Sequence, residues 1–195
     1  MYKLVRVITH TFTKVFFPFR RINHKQAVQT PCVIVSNHLS NCDAFIVGSI
    51  YNHKIYALTK KELFKGKGVS WFLRTLGGIP IDRDTPDAST ILRCVRLLKG
   101  GDKLLIFPEG TRNKTGEKLL PLKSGAALFA IKAKVPIQPV FIDRPSKFLR
   151  LNHVIVGEAF SLEQYYNVPL TPEVLAEADA LIKDSLLKTS EISVR

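Results

Sequence analysis

The strongest constraint on the fold is a regular alternation between short apolar runs and longer amphipathic segments. The apolar runs have the length of buried strands, and the segments between them have the spacing of helices. One such segment, residues 86–99, has an apolar stripe from Ala88 to Leu98 and ends before Gly100-Gly101. Strands that alternate with helices predict a single α/β domain with a largely parallel central sheet flanked by helices. The predicted strands are 32–35, 54–59, 79–81, 103–107, 135–142 and 152–157.

The charge of the chain is strongly basic and unevenly distributed. The net charge is +13, and no acidic residue precedes Asp43. Residues 158–195 hold seven acidic and three basic side chains, which leaves a net charge of +17 on residues 1–157. A field of this sign predicts an anionic partner, such as a membrane surface, a phosphorylated substrate, an acidic carrier protein or nucleic acid. The chain has no nucleic-acid recognition module, so nucleic acid is not expected as a partner.

The amino-terminal residues 2–19 have the pattern of a basic amphipathic helix. No uncharged apolar run is long enough to cross a bilayer, which needs about 20 residues. Residues 1–25 are therefore predicted to be a membrane-association segment, and residues 26–195 the folded domain. The alternative is an ordinary helix that packs on the domain. The apolar positions are Val5, Ile8, Phe12, Val15, Phe16 and Phe19, and the basic ones are Lys3, Arg6, His10 and Lys14.

A histidine and an aspartate follow the first buried strand at a spacing of five residues. His38 and Asp43 can meet if His38 lies in the loop and Asp43 lies in the first turn of a helix capped by Ser40. A carboxylate behind an imidazole fixes its tautomer and stabilises the imidazolium, which suits a general base. The alternative is a capping arrangement between Ser40 and Asp43 beside a surface histidine.

Four further charged residues lie in turns that could bind polar or anionic groups of a ligand. Arg83 follows a short strand and offers a planar fork for phosphate, or a salt bridge to Asp82 or Asp84. Glu109 and Arg112 begin a polar loop at a strand end, where α/β sheets bind ligands, although a solvated turn is an equal alternative. Lys123 precedes a helix that Ser124 is expected to cap, and a helix amino terminus beside a lysine attracts anions.

The sequence gives no indication of a bound cofactor. It contains no phosphate-binding Walker loop, no dinucleotide fingerprint and no metal-ligand spacing of cysteine and histidine. The three cysteines, Cys32, Cys42 and Cys94, show no pairing pattern, which fits a reducing compartment. Cys42 has no separate histidine partner nearby and is not expected to be a nucleophile.

Four stretches in a fixed order resemble the glycerolipid acyltransferases. They are N-H-x4-D from Asn37 to Asp43, G-x-x-x-I-D-R from Gly77 to Arg83, F-P-E-G-T-R from Phe107 to Arg112, and V-P-I-x-P-V from Val135 to Val140. In this order they are similar to the 1-acyl-sn-glycerol-3-phosphate acyltransferases. The resemblance implies acyl transfer from acyl-CoA or acyl-acyl carrier protein to the free hydroxyl of lysophosphatidic acid, giving phosphatidic acid, with no bound cofactor.

The resemblance also implies a role for each motif residue. His38 would be the general base and Asp43 its orienting carboxylate. Arg83, Glu109, Gly110, Thr111 and Arg112 would form the acceptor site, with Lys123 added from helix-terminus physics. Glu109 would bind an arginine or a substrate hydroxyl. The protein would act at the cytoplasmic face of the membrane as a peripheral protein.

Two other functions fit the same residues. One is the same chemistry on another acceptor, such as glycerol-3-phosphate or another lysophospholipid. The other is a non-catalytic membrane-binding protein that uses the basic amino-terminal helix.

Overall fold

The computed structural model describes residues 1–82, 85, 87–123 and 125–193. Short 3-10 helices span His24–Gln26, Lys61–Phe64 and Glu163–Tyr165. The α-helices of the described residues are α1 Tyr2–Phe16, α2 Asp43–Gly48, α3 Lys67–Thr75, α4 Ala88–Lys99, α5 Gly125–Ala133 and α6 Pro172–Ser190. The strands are β1 Phe19–Ile22, β2 Val33–Ser36, β3 Ile55–Lys60, β4 Gly78–Ile81, β5 Lys103–Ile106, β6 Ile137–Ile142 and β7 Asn152–Val156.

The strands form one sheet of seven in the order β1-β7-β6-β2-β5-β3-β4. Strands β2 to β6 run parallel to one another, and among the strands of the described residues only the β6–β7 pair is antiparallel. Because β1 is parallel to β7, it also runs against the rest of the sheet. The predicted α/β domain with a largely parallel sheet is confirmed. The carboxyl ends of β2, β5 and β6 therefore meet at one edge of the sheet.

Helices cover both faces of the sheet and bury two apolar clusters. The side chains of β2 alternate between them, with Val33 and Val35 on one face and Ile34 on the other. Helices α4, α5 and α6 pack on the Val33 face. Helix α2 packs on the Ile34 face through Ile46 and Val47. All four residues of β2 are buried, which explains why this strand has an uninterrupted apolar sequence.

Strand β6 corrects one prediction. The two prolines at 136 and 139 predict an edge or irregular strand, because proline cannot donate to a ladder. The structure instead places β6 between β7 and β2. The antiparallel ladder with β7 begins at Val140, just past Pro139. Before that point the Gln138 side chain donates to the Gly157 carbonyl. This side-chain hydrogen bond connects β6 to the neighbouring segment where proline has no N–H to donate.

Local sequence signals position several elements. Asp87 caps α4 by accepting from Thr90 N at 2.8 Å, and Thr171 caps α6 before Pro172 in its first turn. Gly77 precedes β4 with a φ of +96°. A Cβ at Gly77 would lie 2.3 Å from the Ile55 carbonyl oxygen, so only glycine fits this turn.

Helix α1 ends at Phe16, and Pro18 separates it from β1. The sequence did not predict β1, whose four residues join the sheet edge beside β7. Residues 19–22 thus contribute to the sheet, while the predicted boundary at residue 25 stays a prediction. Among the described residues, no helix combines the length and the apolar character needed to cross a bilayer.

Helix α1 packs on the domain through a face that contains polar side chains. Thr13 is buried there, and the Arg6 guanidinium donates to the backbone carbonyls of Tyr51 and Asn52. The larger apolar side chains point away from the domain and are exposed: Leu4, Val7, Ile8, Phe12 and Val15. An amphipathic helix in a soluble domain normally buries its apolar stripe. In α1 that stripe remains uncovered.

Candidate active site

The predicted contact between His38 and Asp43 is present at the carboxyl end of β2. His38 lies in the loop after this strand, and Asp43 begins α2. The distance from His38 Nδ1 to Asp43 Oδ2 is 3.0 Å. The His38 side chain is 14% exposed and that of Asp43 is fully buried. Because Nδ1 faces Asp43, Nε2 is the ring nitrogen on the opposite side of the imidazole.

Asp43 organises the whole loop as well as the imidazole. Its Oδ2 atom accepts the backbone N–H groups of Leu39 at 2.6 Å and Ser40 at 2.7 Å. Its Oδ1 atom accepts the Ser40 hydroxyl at 2.5 Å. The expectation that Ser40 is the helix cap is wrong, because α2 starts at Asp43 and Cys42 precedes it. Ser40 supports the loop by bonding to Asp43 instead.

The backbone of His38 is fixed by the loop that follows β5. The His38 N–H donates to Glu109 Oε1 at 2.7 Å, and the His38 carbonyl accepts from Asn113 N at 2.7 Å. The imidazole stacks on the Phe107 ring, with centroids 4.2 Å apart and planes 19° apart. Main chain and ring are therefore both positioned by residues 107–113.

Glu109 is buried, and both of its carboxylate oxygens are bonded to the backbone. It is 3% exposed, and its two carboxylate oxygens accept the N–H groups of His38 and Leu120. Burial raises the pKa of Glu109, and the two backbone hydrogen bonds oppose that rise. Glu109 therefore lies beneath the loops and holds the His38 backbone in position, while its role in the acceptor site stays a prediction.

Replacing Glu109 with glutamine tests this positioning role. The new amide nitrogen cannot accept a hydrogen bond, so either His38 N–H or Leu120 N–H loses its partner. For the general-base role of His38 that the motif resemblance implies, kcat should fall by about tenfold or more, the loss of a bond to a charged group, with acceptor KM nearly unchanged. Steady-state kinetics measure both constants.

The pH dependence of stability provides a second readout for Glu109. The pKa of Glu109 is raised in the folded protein, so its carboxyl group stabilises the fold at pH values below its pKa in the unfolded chain. That stabilisation is lost as the pH rises through the pKa of the group in the folded protein. Thermal unfolding should show wild type losing stability relative to Glu109→Gln over that range. A variant that raises acceptor KM alone would instead support the predicted substrate role of Glu109.

Two buried asparagines were missed as site residues. Asn37 is almost fully buried, and its amide donates to the Ile142 carbonyl at 2.9 Å and accepts from Ile142 N at 2.8 Å. It joins the end of β2 to the end of β6 directly before His38. Asn113 closes the turn to Glu117 through its side chain, while its N–H holds His38. The signal available for Asn37 was its place beside His38 in the first motif.

The remaining predicted residues that the structure describes lie on the rim of the site. Arg112 is exposed, and its Nη1 donates to Asn41 Oδ1 at 3.0 Å, so it lies against the histidine loop. Thr111 is exposed next to it. Gly110 has a φ of +67°, and the Lys123 side chain passes within 3.0 Å of the position of a Cβ there. Arg83 and Ser124, named in the sequence predictions, lie outside the described residues.

An apolar cavity of about 340 Å³ opens beside His38. It lies between β3, the 3-10 helix after it, and α3. His38 and Asn41 border it on the polar side, and Phe107 forms part of its wall. The apolar lining includes Phe45, Ala57, Leu58, Leu63, Val69 and Leu73. A chain-like apolar ligand would fit here with its reactive end at the imidazole.

The three cysteines are unpaired thiols, and the described residues contain no metal-binding cluster. Cys32, Cys42 and Cys94 are free. Burial, with a smaller contribution from Asp43, raises the pKa of the Cys42 thiol, which makes it a poor nucleophile. Within residues 1–82, 85, 87–123 and 125–193, no group of three or more histidine, cysteine or acidic side chains has a metal-binding arrangement.

A histidine held by a buried carboxylate at the carboxyl end of parallel strands is typical of α/β enzymes that use a general base. Residues 19–143 match the acyltransferase family. The chain is 34% identical over 155 residues to 1-acyl-sn-glycerol-3-phosphate acyltransferase of Bacillus subtilis, covering 76% of each protein. It is 42% identical over 89 residues to the Streptococcus pneumoniae protein of that name, covering 45% of this chain and 32% of that one.

A solved structure supports the fold. The 1-acyl-sn-glycerophosphate acyltransferase of Thermotoga maritima aligns with a TM-score of 0.71 at 21% identity, covering 100% of this chain and 81% of that one. The chain belongs to the acyltransferase family. The resemblance to the 1-acyl-sn-glycerol-3-phosphate acyltransferases indicated by the four motifs is confirmed.

Proposed function

We propose that the protein transfers an acyl group from an acyl thioester to the free hydroxyl of lysophosphatidic acid, giving phosphatidic acid. The observation that supports this function most directly is the 3.0 Å contact between His38 and Asp43 at the mouth of the apolar cavity. The names of the relatives point to the same acceptor.

His38 is the general base in this reaction. Its Nε2 accepts the proton of the lysophosphatidate hydroxyl as that oxygen attacks the thioester carbonyl carbon. The carbon–sulfur bond then breaks, the ester forms, and the thiol leaves with a proton returned from the imidazolium. Asp43 keeps the proton on Nδ1, which orients Nε2 toward the acceptor and stabilises the imidazolium.

The two substrates meet at Nε2 of the imidazole and occupy different parts of the site. The acyl chain enters the cavity between β3 and α3, which is lined by apolar side chains. The acceptor phosphate binds on the basic rim formed by Arg112 and Lys123, with Arg83 as a further phosphate ligand. Arginine suits this role because its planar fork matches phosphate oxygens.

Thiol release is the experiment that tests the function. Acyl-CoA and acyl-acyl carrier protein are offered in turn, each with lysophosphatidate or glycerol-3-phosphate in detergent micelles. We expect release that depends on lysophosphatidate, with phosphatidic acid identified by mass spectrometry. Release with glycerol-3-phosphate alone would keep the mechanism and replace the acceptor. No release under any condition would favour a non-catalytic membrane-binding protein.

Replacing Arg112 with alanine tests the acceptor rim. Loss of a charge-assisted hydrogen bond should raise KM for lysophosphatidate by about tenfold or more, with kcat little changed. Monoacylglycerol, which lacks the phosphate, should be used equally by wild type and variant. Lys114→Ala is the matched control, since Lys114 is an exposed base on the same loop. An equal loss with both acceptors would contradict phosphate binding by Arg112.

The exposed apolar face of α1 is the proposed membrane contact. Leu4, Ile8 and Phe12 point to solvent, and Lys3 and Lys14 lie at the margin of this face. Such a helix lies in the plane of a membrane interface, and its basic residues favour anionic lipid. The protein would then act as a peripheral protein on the cytoplasmic face of the membrane.

A further inference from the structure

The loop between β6 and β7 exposes large apolar side chains. Phe148 is 63% exposed, Leu149 is 61% exposed and Leu151 is 50% exposed. Loops usually present polar residues to water, and a cluster of exposed apolar side chains in a monomer marks a contact surface. The mechanism at His38 makes no use of this loop.

The loop is held in a fixed shape. The Asn152 side chain donates to the Arg144 carbonyl at 2.6 Å, and Asn152 Oδ1 accepts from Arg144 N at 3.3 Å, which closes its base. Leu149 N donates to the Phe16 carbonyl at 2.8 Å, and Asn152 N donates to the Pro18 carbonyl at 2.9 Å. These bonds tie the loop to the end of α1.

Leu149 adopts a backbone conformation that leucine disfavours. Its φ is +54°, in the left-handed region that glycine and asparagine occupy more readily. The side chain gains little from packing, because most of it faces solvent. A strained and exposed leucine is explained if its side chain becomes buried when the protein binds something.

Aromatic rings join this loop to the exposed face of α1. Phe148 stacks on Phe16 with centroids 5.7 Å apart, and Phe16 contacts Phe12 at 4.7 Å. Phe17 lies 6.5 Å from both Phe12 and Phe148. The apolar surface is therefore continuous from the outer face of α1 to the tip of the loop.

The charges around the surface are basic. The loop contains Arg144, Lys147 and Arg150 within seven residues, and residues 144–157 contain no acidic residue. Residues 1–42, which include α1, contain none either. Asp143, at the base of the loop, is paired with Arg144 at 2.6 Å. An apolar surface with a basic margin is complementary to anionic phospholipid and less so to a protein surface of mixed charge.

We propose that residues 144–151 are a second membrane-binding element, which inserts Phe148 and Leu149 into an anionic bilayer beside α1. This inference rests on the membrane attachment proposed for α1 and adds a separate site to it. Because β6 ends at the same edge of the sheet as β2, the loop and His38 lie at that edge together. The two attachments fix the orientation of the site toward the lipid surface.

Vesicle flotation tests the loop with a double substitution. Phe148→Ser with Leu149→Asn removes both apolar side chains, and asparagine suits the backbone at 149, so the fold should be retained. With phosphatidylcholine–phosphatidylglycerol vesicles we expect affinity to fall by about tenfold or more. The matched control, Leu92→Ser with Val168→Asn, removes exposed apolar side chains far from α1 and should bind like wild type.

A third variant separates this inference from the attachment by α1. Ile8→Ser with Phe12→Ser should also weaken vesicle binding. If that variant weakens binding while the loop variant binds like wild type, the loop inference is overturned and the α1 attachment stands. If wild type itself fails to float with vesicles, both membrane proposals are overturned, and thiol release in micelles still tests the acyl transfer.

Fluorescence gives direct evidence of insertion. Trp71 is the single tryptophan, so Phe148→Trp in a Trp71→Phe background reports on the loop alone. Brominated lipid should quench this fluorophore. Absence of quenching in the vesicle-bound protein would overturn the proposal. A concentration-dependent dimer in light scattering that the loop variant abolishes would also overturn it, in favour of contact between two copies.

Discussion

Replacement of His38 with alanine should lower kcat by about 10²–10⁴, the range that a positioned general base contributes. The variant should fold normally, because the bonds that Glu109 and Asn113 make to residue 38 involve its backbone and survive the substitution. Thiol release at saturating lysophosphatidate measures the loss. Thermal unfolding verifies that the fold is retained.

The second histidine–aspartate pair provides the control for His38. His153 Nδ1 lies 3.4 Å from Asp143 Oδ2, at the base of the β6–β7 loop. His153→Ala removes an imidazole from a similar pair outside the proposed site, so kcat should stay at the wild-type value. If His38→Ala retained full turnover, the proposed mechanism would have to be abandoned.

Replacement of Asp43 with asparagine should have a comparable or larger effect. The Oδ2 atom accepts from His38, Leu39 and Ser40, and an amide nitrogen in its place can accept from none of them. An asparagine that keeps its oxygen toward the backbone donors no longer stabilises the imidazolium. In serine proteases the equivalent change lowers kcat by about 10⁴.

Stability separates the two functions of Asp43. Loss of buried hydrogen bonds to the carboxylate should lower the free energy of unfolding by about 1–3 kcal/mol. Ser40→Ala removes only the hydroxyl bond to Oδ1 and is the matched control. It should lose part of that stability and retain most of the turnover. An Asp43→Asn variant that loses stability and keeps wild-type kcat would show that the carboxylate is purely structural.

The α/β class followed from the sequence because its signals are local. Strand β2 is buried on all four residues, so its apolar run was unambiguous. The strand at residues 19–22 was missed because its two arginines are exposed at a sheet edge, and such a strand has no apolar run. The central position of β6 was also missed. Its prolines favour an edge strand, and the sequence does not reveal the bond that the Gln138 side chain makes to the neighbouring segment.

In the candidate site, too, local contacts could be predicted from the sequence and long-range contacts could not. The His38–Asp43 contact could be predicted because five residues separate the two, and a turn into a helix brings them together. The bond between Glu109 and His38 could not be predicted, because the two residues are 71 positions apart and the contact is to a backbone N–H. No side-chain pattern reports on such a bond. Motif resemblance placed the two residues in one predicted site but could not report the backbone hydrogen bond between them.

The attachment of His38 to residues 109 and 113 limits how the enzyme can change its acceptor. Arg112 lies between these two anchoring points, so inserting or deleting a residue there would displace the imidazole. Residues 114–118 lie beyond the second anchor and are exposed. The Asn113 side chain also bonds to the Glu117 carbonyl, and Glu109 accepts from Leu120 N, so the length of 114–118 is fixed by the same anchors. The exposed side chains of Lys114 and Lys118 are therefore the positions to randomise, at constant loop length, in a directed-evolution library.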